Sequence, residues 1–504
     1  VVDLYQFQKE DVEKLVRQPS ALIGSEMGTG KTHEAIALDN LWAEENKGKF
    51  KPTLVIAPLN THDSWMEKYG EQAPDVDVIR IDRKNRDRFV DDIRKGRGDV
   101  FLMHWDALRM MSYLGEVEFQ TIVGDEIHRI ANRKSQVTRA AYKLRGIHKL
   151  GMSGTAGGDK PDTLWSVLHW LYPSYFRSYW KFRKQFTVEE KQYRWDGERN
   201  QEQGYSKITG VQNAEELRAL MDPWYVRHLK TEPCCEYHPE GVMPWLPEKV
   251  YDRIWVDLSP KERRIYEQMR KEMVAWVNEN EEYPLSAAVV AAQLQRLSQF
   301  ALATPEVVGK KWVWRTKMID GVPTKVHVEV DDVRLVEPST KLDAAQELFL
   351  DHDNKQFLVG TSSRVLANMA HEKFKRKGIS SFVLSGDTPQ SQREGMVNRF
   401  VAGDTQLFIS VIQAGAEGID GLQHATDTCV MIDYTWQTVK NKQFIDRLHR
   451  DGQKNTVQII DIMARNTVDL GRHTHLETKW TWLKEILGDS IAAQKLATST
   501  PKQV

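Results

Sequence analysis

The stretch "SALIGSEMGTGKTHEAIALDN", residues 20–40, decides how this chain is read. An apolar run, a Gly-spaced loop and a helix-forming segment follow one another, the order of a strand–loop–helix that cradles phosphate. Gly28 and Gly30 let the backbone aim its N–H groups at phosphate oxygens, where a β-carbon would intrude. Lys31 is placed to reach the β- and γ-phosphates as a point charge, and the Thr32 hydroxyl to ligate Mg2+. The following helix presents its positive end to the anion. Gly28, Thr29, Gly30, Lys31 and Thr32 are therefore the expected nucleotide contacts. Ser25 stands where the G-x-x-x-x-G-K-[ST] pattern has Gly, and a small residue there is compatible with such a loop.

What such a loop lacks appears further on. In "IVGDEIHRI" (122–130) an apolar strand ends in two carboxylates. Asp125 is expected to hold Mg2+ through water, and Glu126 to polarise the water that attacks the γ-phosphate. A third stretch, "QFIDRLHRDGQ" (443–453), places Arg447 and Arg450 three residues apart, on one face if the segment is helical. One reading is a surface helix with ordinary cations. The other is a composite site, because planar guanidinium donors suit the charge of a transferring phosphoryl group. Those arginines lie in a second α/β block, so hydrolysis would depend on closing a cleft.

The rest of the chain sets limits. Its 504 residues predict about three domains. Hydrophobic residues make up 40% and charged residues 28%, as in an ordinary soluble globular protein. The formal net charge of −1 excludes a global attraction to polyanions, so a nucleic-acid surface must be local. "RKNRDRF" (83–89), "NRKSQVTR" (132–139) and "KFKRKG" (373–378) are candidates. Three Cys suggest a reducing compartment. Adjacent Cys234 and Cys235, with His238, lack the spacer of a zinc site. No apolar run is long enough to span a membrane, and no signal pattern opens the chain.

Short apolar runs at 53–58, 100–104, 120–126 and 148–154 read as buried parallel strands, and runs at 356–361, 381–386, 406–411, 428–434 and 456–463 repeat the rhythm. The fold class predicted is α/β: two parallel-sheet lobes in tandem, with helical insertions and a β-hairpin between them. The expected divisions are an ATP-binding lobe at 1–158, helical insertions and linker at 159–305, a hairpin turning near Asp320-Gly321 at 306–340, a second lobe at 341–485 and a tail at 486–504.

In this order the stretches resemble the superfamily-two helicase core, and specifically the Swi/Snf-related DNA translocases. "LYQFQKEDV" resembles the family's glutamine motif, which implies that Gln8 meets adenine. "SEMGTGKT" resembles its "DEMGLGKT", "LVIAPLNTHDSW" its next motif ending at Trp65, and "DEIHRIANRKS" its DEAH-like box. "GMSGTAGGD" is similar to the "LTGTP" coupling motif, with Ala156 in place of Pro. "WYVRHLK", "LPEK", "EPSTKLDAAQEL", "SGDTPQSQREGMVNRF", "AGAEGIDGL" and "WQTVKNKQFIDRLHRDGQ" follow in family order. Asp420 stands where the family usually has Asn, and Glu417 makes that loop less glycine-rich.

The resemblance covers about residues 4 to 485 and implies that the two parallel-sheet lobes are RecA-like and form a double-stranded DNA translocase driven by ATP with Mg2+. Gly418 and Asp420 would then help hold the nucleotide, while Pro58, Asn60, Ser363, Gly386 and Trp436 would touch DNA. It implies a monomeric, cytoplasmic, DNA-associated motor of the compact type found in bacteria and their viruses. A strand-separating DNA or RNA helicase is the alternative.

Overall fold

The computed structural model describes residues 3–45, 51–82, 88–157, 160–196, 201–232, 238, 240–279, 296–319, 322–416 and 419–487. The first run of strands is β1 (Ser20–Ile23), β2 (Thr53–Ala57), β3 (Val78–Arg80), β4 (Val100–His104), β5 (Glu118–Asp125) and β6 (Arg145–Met152). Next come β7 (Thr187–Asp196), β8 (Gln201–Val211), β9 (Tyr225–Val226), β10 (Lys249–Val256), β11 (Thr304–Ile319) and β12 (Val322–Val336). The last five are β13 (Phe357–Thr361), β14 (Ser381–Leu384), β15 (Leu407–Val411), β16 (Thr428–Met431) and β17 (Val457–Ala464).

Seven strands form one sheet in the order β3-β4-β2-β5-β6-β1-β9, and six form another in the order β10-β17-β16-β13-β15-β14. Every pairing in both is parallel. Strands buried on both faces are mostly apolar, and β1, β2, β13 and β15, each with a single buried Ser or Thr, have no exposed residue. Alternate side chains enter separate cores. Leu22, Leu54, Ile56 and Ile122 pack with Trp105 and Trp170, whereas Ala21, Ile23, Val55 and Val123 pack with Trp42, Trp65 and Tyr69.

Leu22 of β1 lies opposite Gly151 of β6, and Asp125 of β5 lies opposite Met152 of β6. The loop leaving β1 and the carboxylate ending β5 therefore share one edge of the sheet. Open parallel sheets bind their ligands at that carboxyl edge.

Between the sheets the architecture differs from the expected run of helices. Helices Leu164–Leu171, Tyr179–Phe186 and Ala214–Met221 are present, but β7 and β8 form an antiparallel ribbon between the second and third. The chain then returns to the first sheet as β9 and enters the second as β10. β10 is missed by an apolar-run criterion because it is an edge strand whose residues from Tyr251 to Arg253 are exposed. The expected hairpin is β11–β12, paired from Thr304 opposite Val336 to Ile319 opposite Val322. Its turn at 320–321 lies outside the described residues.

Candidate active site between the two sheets

The loop after β1 turns through Gly28 and Gly30, both at φ +85°. Only glycine takes that conformation without strain. Gln8 seals the loop from outside: its Nε2 donates to Thr29 O at 2.9 Å while its Oε1 accepts from Tyr5 N at 2.9 Å. A β-carbon on Gly30 would lie 2.4 Å from that Nε2. Thr29 Oγ1 ties back to Glu26 O at 2.9 Å. Lys31 opens the following helix, Lys31–Glu45, and donates to Ser25 O and Glu26 O at 2.8 and 2.7 Å. Burial lowers its pKa, opposed by the charges of Glu126, Asp125, Glu34 and Glu26. Thr32 lies in that helix's first turn. Ser25 has a local task of its own, because its Oγ accepts from His228 N at 3.1 Å.

Asp125 and Glu126 sit side by side yet differ electrostatically. Burial and then the charge of Glu126 push Asp125 up to about 6, against a hydrogen bond from Trp65 Nε1 at 3.0 Å and the charge of Lys31. Burial also opposes ionisation of Glu126, but the hydrogen bond and charge of His128, with Lys31 and Lys440, pull it down to about 2. His128 Nδ1 is 3.2 Å from Glu126 Oε2, and Ser153 Oγ donates to the same oxygen at 3.3 Å. Glu126 itself is left-handed at φ 52°, ψ 52°. A non-glycine residue in that region is sparsely populated and marks a functional constraint more often than a packing accident. Ser153 belongs to the stretch "GMSGTAGGD", so the segment read as a coupling motif touches the carboxylate directly.

The second sheet supplies the opposite wall. Helix Thr438–Ile445 directs Lys442 Nζ to Glu26 Oε1 at 2.6 Å and Gln443 Nε2 to Glu126 Oε1 at 3.4 Å. Arg450 lies against the phosphate loop, since a β-carbon on Gly28 would be 3.7 Å from its Cγ. Its Nη1 donates to Asp420 Oδ1 at 2.9 Å. Partial desolvation on the cleft side opposes ionisation of Asp420, whose side chain is otherwise exposed, but Arg450 and Arg447 outweigh it and lower the pKa.

Arg447 behaves differently from the expected partner of Arg450. The helix ends at Ile445, so three-residue spacing no longer places two side chains on one face. Arg447 turns into its own lobe, buried, and donates Nη1 to Ile419 O at 2.6 Å and Nη2 to Ala416 O. It shapes the loop that precedes Asp420. Gly418, expected in that loop, lies outside the described residues, as do Glu417, Cys234 and Cys235.

Among the residues expected at DNA, Pro58 and Asn60 follow β2, Ser363 follows β13 and Gly386 follows β14. All lie just past the carboxyl ends of their strands. Trp436 is half-buried and stacked by Arg472, whose guanidinium carbon is 5.2 Å from the ring centroid. The basic run 373–378 is partly neutralised: Lys373 pairs with Asp343 at 2.6 Å and Arg376 with Glu337. In the run 132–139, Arg133 lies over the Tyr179 ring at 4.1 Å. Sequence reasoning missed Lys68, Lys230 and Lys442. Lys68 is partly buried in the cleft, where burial lowers its pKa against the charges of Asp125 and Asp420.

Among the described residues, no helix is long and apolar enough to cross a membrane, and no three His, Cys, Asp or Glu side chains converge as a metal cluster.

Residues 7–300 match the SNF2-related domain, and residues 340–452 match the helicase conserved C-terminal domain. An uncharacterized ATP-dependent helicase of Mycoplasma pneumoniae is 24% identical over 93% of this chain and 41% of its own length. The human SWI/SNF-related matrix-associated actin-dependent regulator of chromatin subfamily A member 1 is 23% identical over 89% of this chain and 40% of its own. The putative ATP-dependent helicase/translocase YwqA of Bacillus subtilis is 24% identical over 95% and 48%. The chain thus spans less than half the length of these curated relatives. The match to a Sulfolobus solfataricus SWI2/SNF2 ATPase core in complex with dsDNA covers 100% of this chain and 98% of that one at 19% identity, with a TM-score of 0.42. With more than half its residues inside the first match and a helicase C-terminal domain following in order, the chain belongs to the SNF2-related family and carries that family's helicase-like, ATP-hydrolysing core.

Proposed function

We propose that this core is a monomeric motor that couples ATP hydrolysis to movement along double-stranded DNA without obligatory strand separation. The observation that carries the reading is the composite cleft: Lys442, Gln443 and Arg450 of one lobe meet Glu26, Glu126 and the Gly28 loop of the other. A site assembled from two lobes works only when they close, so anything that favours closure also drives hydrolysis. The names of the relatives, among them a helicase/translocase and a chromatin regulator, support a motor on DNA.

In the proposed cycle the phosphate loop and Lys31 hold the triphosphate, and Gln8 bounds the adenine side. Asp125 and Thr32 offer the hard oxygen donors that Mg2+ prefers, beside a second carboxylate whose charge a dication would offset. When bound, the ion supplies charge neutralisation between the phosphates. Glu126, ionised and oriented by His128 and Ser153, orders the attacking water. Arg450 stabilises charge on the transferring group from across the cleft. The segments around Pro58, Asn60, Ser363 and Gly386 follow strand ends in both lobes, a placement suited to gripping a phosphate backbone at successive points.

The test is the rate of phosphate release without nucleic acid and with single-stranded DNA, duplex DNA or RNA, with Lys31→Ala as the inactive control. Duplex DNA should stimulate most, and binding should fall steeply with added salt as counterions are released. Stimulation by RNA equal to that by duplex DNA would remove the DNA assignment. Turnover by a folded Lys31→Ala protein would remove the nucleotide site.

A further inference from the structure

Glu26 lies inside the phosphate loop, yet both its carboxylate oxygens are engaged by other parts of the fold. Oε2 accepts the backbone N–H of Lys230 at 2.8 Å, and Oε1 accepts Lys442 Nζ at 2.6 Å. Lys230 belongs to the segment that leaves β9 for the second sheet and is wholly buried. Its Nζ donates to His449 O at 2.6 Å and lies 3.9 Å from Asp446 Oδ1. Lys249, at the start of β10, pairs with the same oxygen at 3.1 Å. Asp446 and His449 in turn bracket Arg447 and precede Arg450, which comes back to the phosphate loop. The contacts make a closed circuit from loop to connector to arginine segment and back.

The connecting segment is also laced to the loop by its backbone. Glu26 N donates to His228 O at 2.9 Å, His228 N donates to Ser25 Oγ at 3.1 Å, and Arg227 Nη1 donates to Gly24 O at 2.5 Å. A shift of the second lobe therefore pulls on the loop through covalent chain as well as through side chains.

We infer that Glu26, Lys230, Lys442 and Asp446 form an inter-lobe clasp that transmits cleft closure to the phosphate loop, with Lys442 and Glu26 acting as positioning residues for hydrolysis. The inference rests on the motor reading above. The clasp carries three ammonium groups, counting Lys249, and two carboxylates, a net of +1 (3 − 2). Burial pushes Lys230 down to about 8 against the charges of Asp446 and Glu26. For Glu26, burial opposes ionisation, but Lys442, Lys230 and Lys249 outweigh it and hold its pKa well below the usual carboxylate range. Losing a carboxylate leaves ammonium groups facing one another in a largely buried site, whereas losing Lys442 brings the balance to zero. The two losses are thus unequal.

The experiment is a double-mutant cycle with Glu26→Gln, Lys442→Met and the pair, read as turnover and as affinity for a fluorescent ATP analogue. Lys442→Met should lower turnover about tenfold and move affinity less than about threefold, and Glu26→Gln should cost more turnover than that. The double variant should turn over faster than Glu26→Gln alone, because the second change lowers the excess positive charge from +2 (3 − 1) to +1 (2 − 1). Effects that multiply independently, or affinity falling in step with turnover, would overturn the clasp. Should the wild type prove inactive, the motor reading fails by itself. The same cycle read as thermal unfolding then decides the clasp: coupling between the two positions keeps it, and additivity removes it.

Discussion

Replacing Arg450 with Ala is expected to cut ATP turnover more than a hundredfold while nucleotide affinity changes little. Arginine fingers are worth ~10^3 to 10^5 in rate. Here the guanidinium is shared with Asp420 at 2.9 Å, and serving the phosphate means giving up that pair. The Asp420 side chain is 72% exposed, so the pair is screened and worth at most about 1 kcal/mol, a factor of about five. Taking that factor from the lower bound still leaves about two decades. Asp420→Asn should leave turnover unchanged or raise it by up to about fivefold, because it frees the donor. Arg450→Lys should not rescue, since an ammonium lacks the planar fork. Titration with a fluorescent ATP analogue separates affinity from single-turnover phosphate release. A loss below about tenfold at intact affinity would refute the finger, set against the ~10^3 minimum for such residues. So would loss of DNA binding with normal turnover, which would make this segment a basic surface.

Arg447→Ala should act through stability as well as turnover. It removes the donors to two buried carbonyls, each costing about 1–3 kcal/mol when left unmet, so calorimetry should show a clear drop in Tm. An unchanged Tm would contradict its placement. Glu126→Gln should retain ATP and stop phosphate release, whereas loss of both would assign Glu126 to binding rather than chemistry. Lys149→Met should stabilise the chain at pH 7. Burial draws Lys149 from 10.5 to about 8, equivalent to roughly 3 kcal/mol, and about 1 kcal/mol is returned by losing its 3.1 Å bond to Trp170 O. Between about pH 8 and 10.5 the folded wild type binds fewer protons than the unfolded chain, so its stability rises with pH through that window. The advantage of Met seen in urea unfolding at pH 7 should therefore shrink by pH 10, and a constant advantage would refute the buried-charge account.

The phosphate loop was legible because its residues answer to local needs. Gly28 and Gly30 must take positive φ, and Lys31 must open a helix, whatever the rest of the chain does. The strands were legible for a similar reason, as burial on two faces leaves β1, β2, β13 and β15 without polar positions facing solvent. Partners chosen by the tertiary fold carry no such local signature. Lys442 and Glu26 are 416 residues apart, and nothing near either one announces the other. Lys230 enters the sequence reading only as the end of "WYVRHLK", and its partners become visible once the connector is seen to bury it against the second lobe. The two arginines show the same limit more sharply. Their spacing suits one helix face, but the helix stops at Ile445, and the turn that follows sends Arg447 into its own lobe and Arg450 into the cleft. Asp420, noted in the sequence only as a departure from Asn, gains a physical meaning once Arg450 is known to be its partner. A carboxylate there holds Arg450 by an ion pair, where an amide would accept from the same guanidinium without an opposite charge, so this chain sets that arginine by an interaction that salt can weaken.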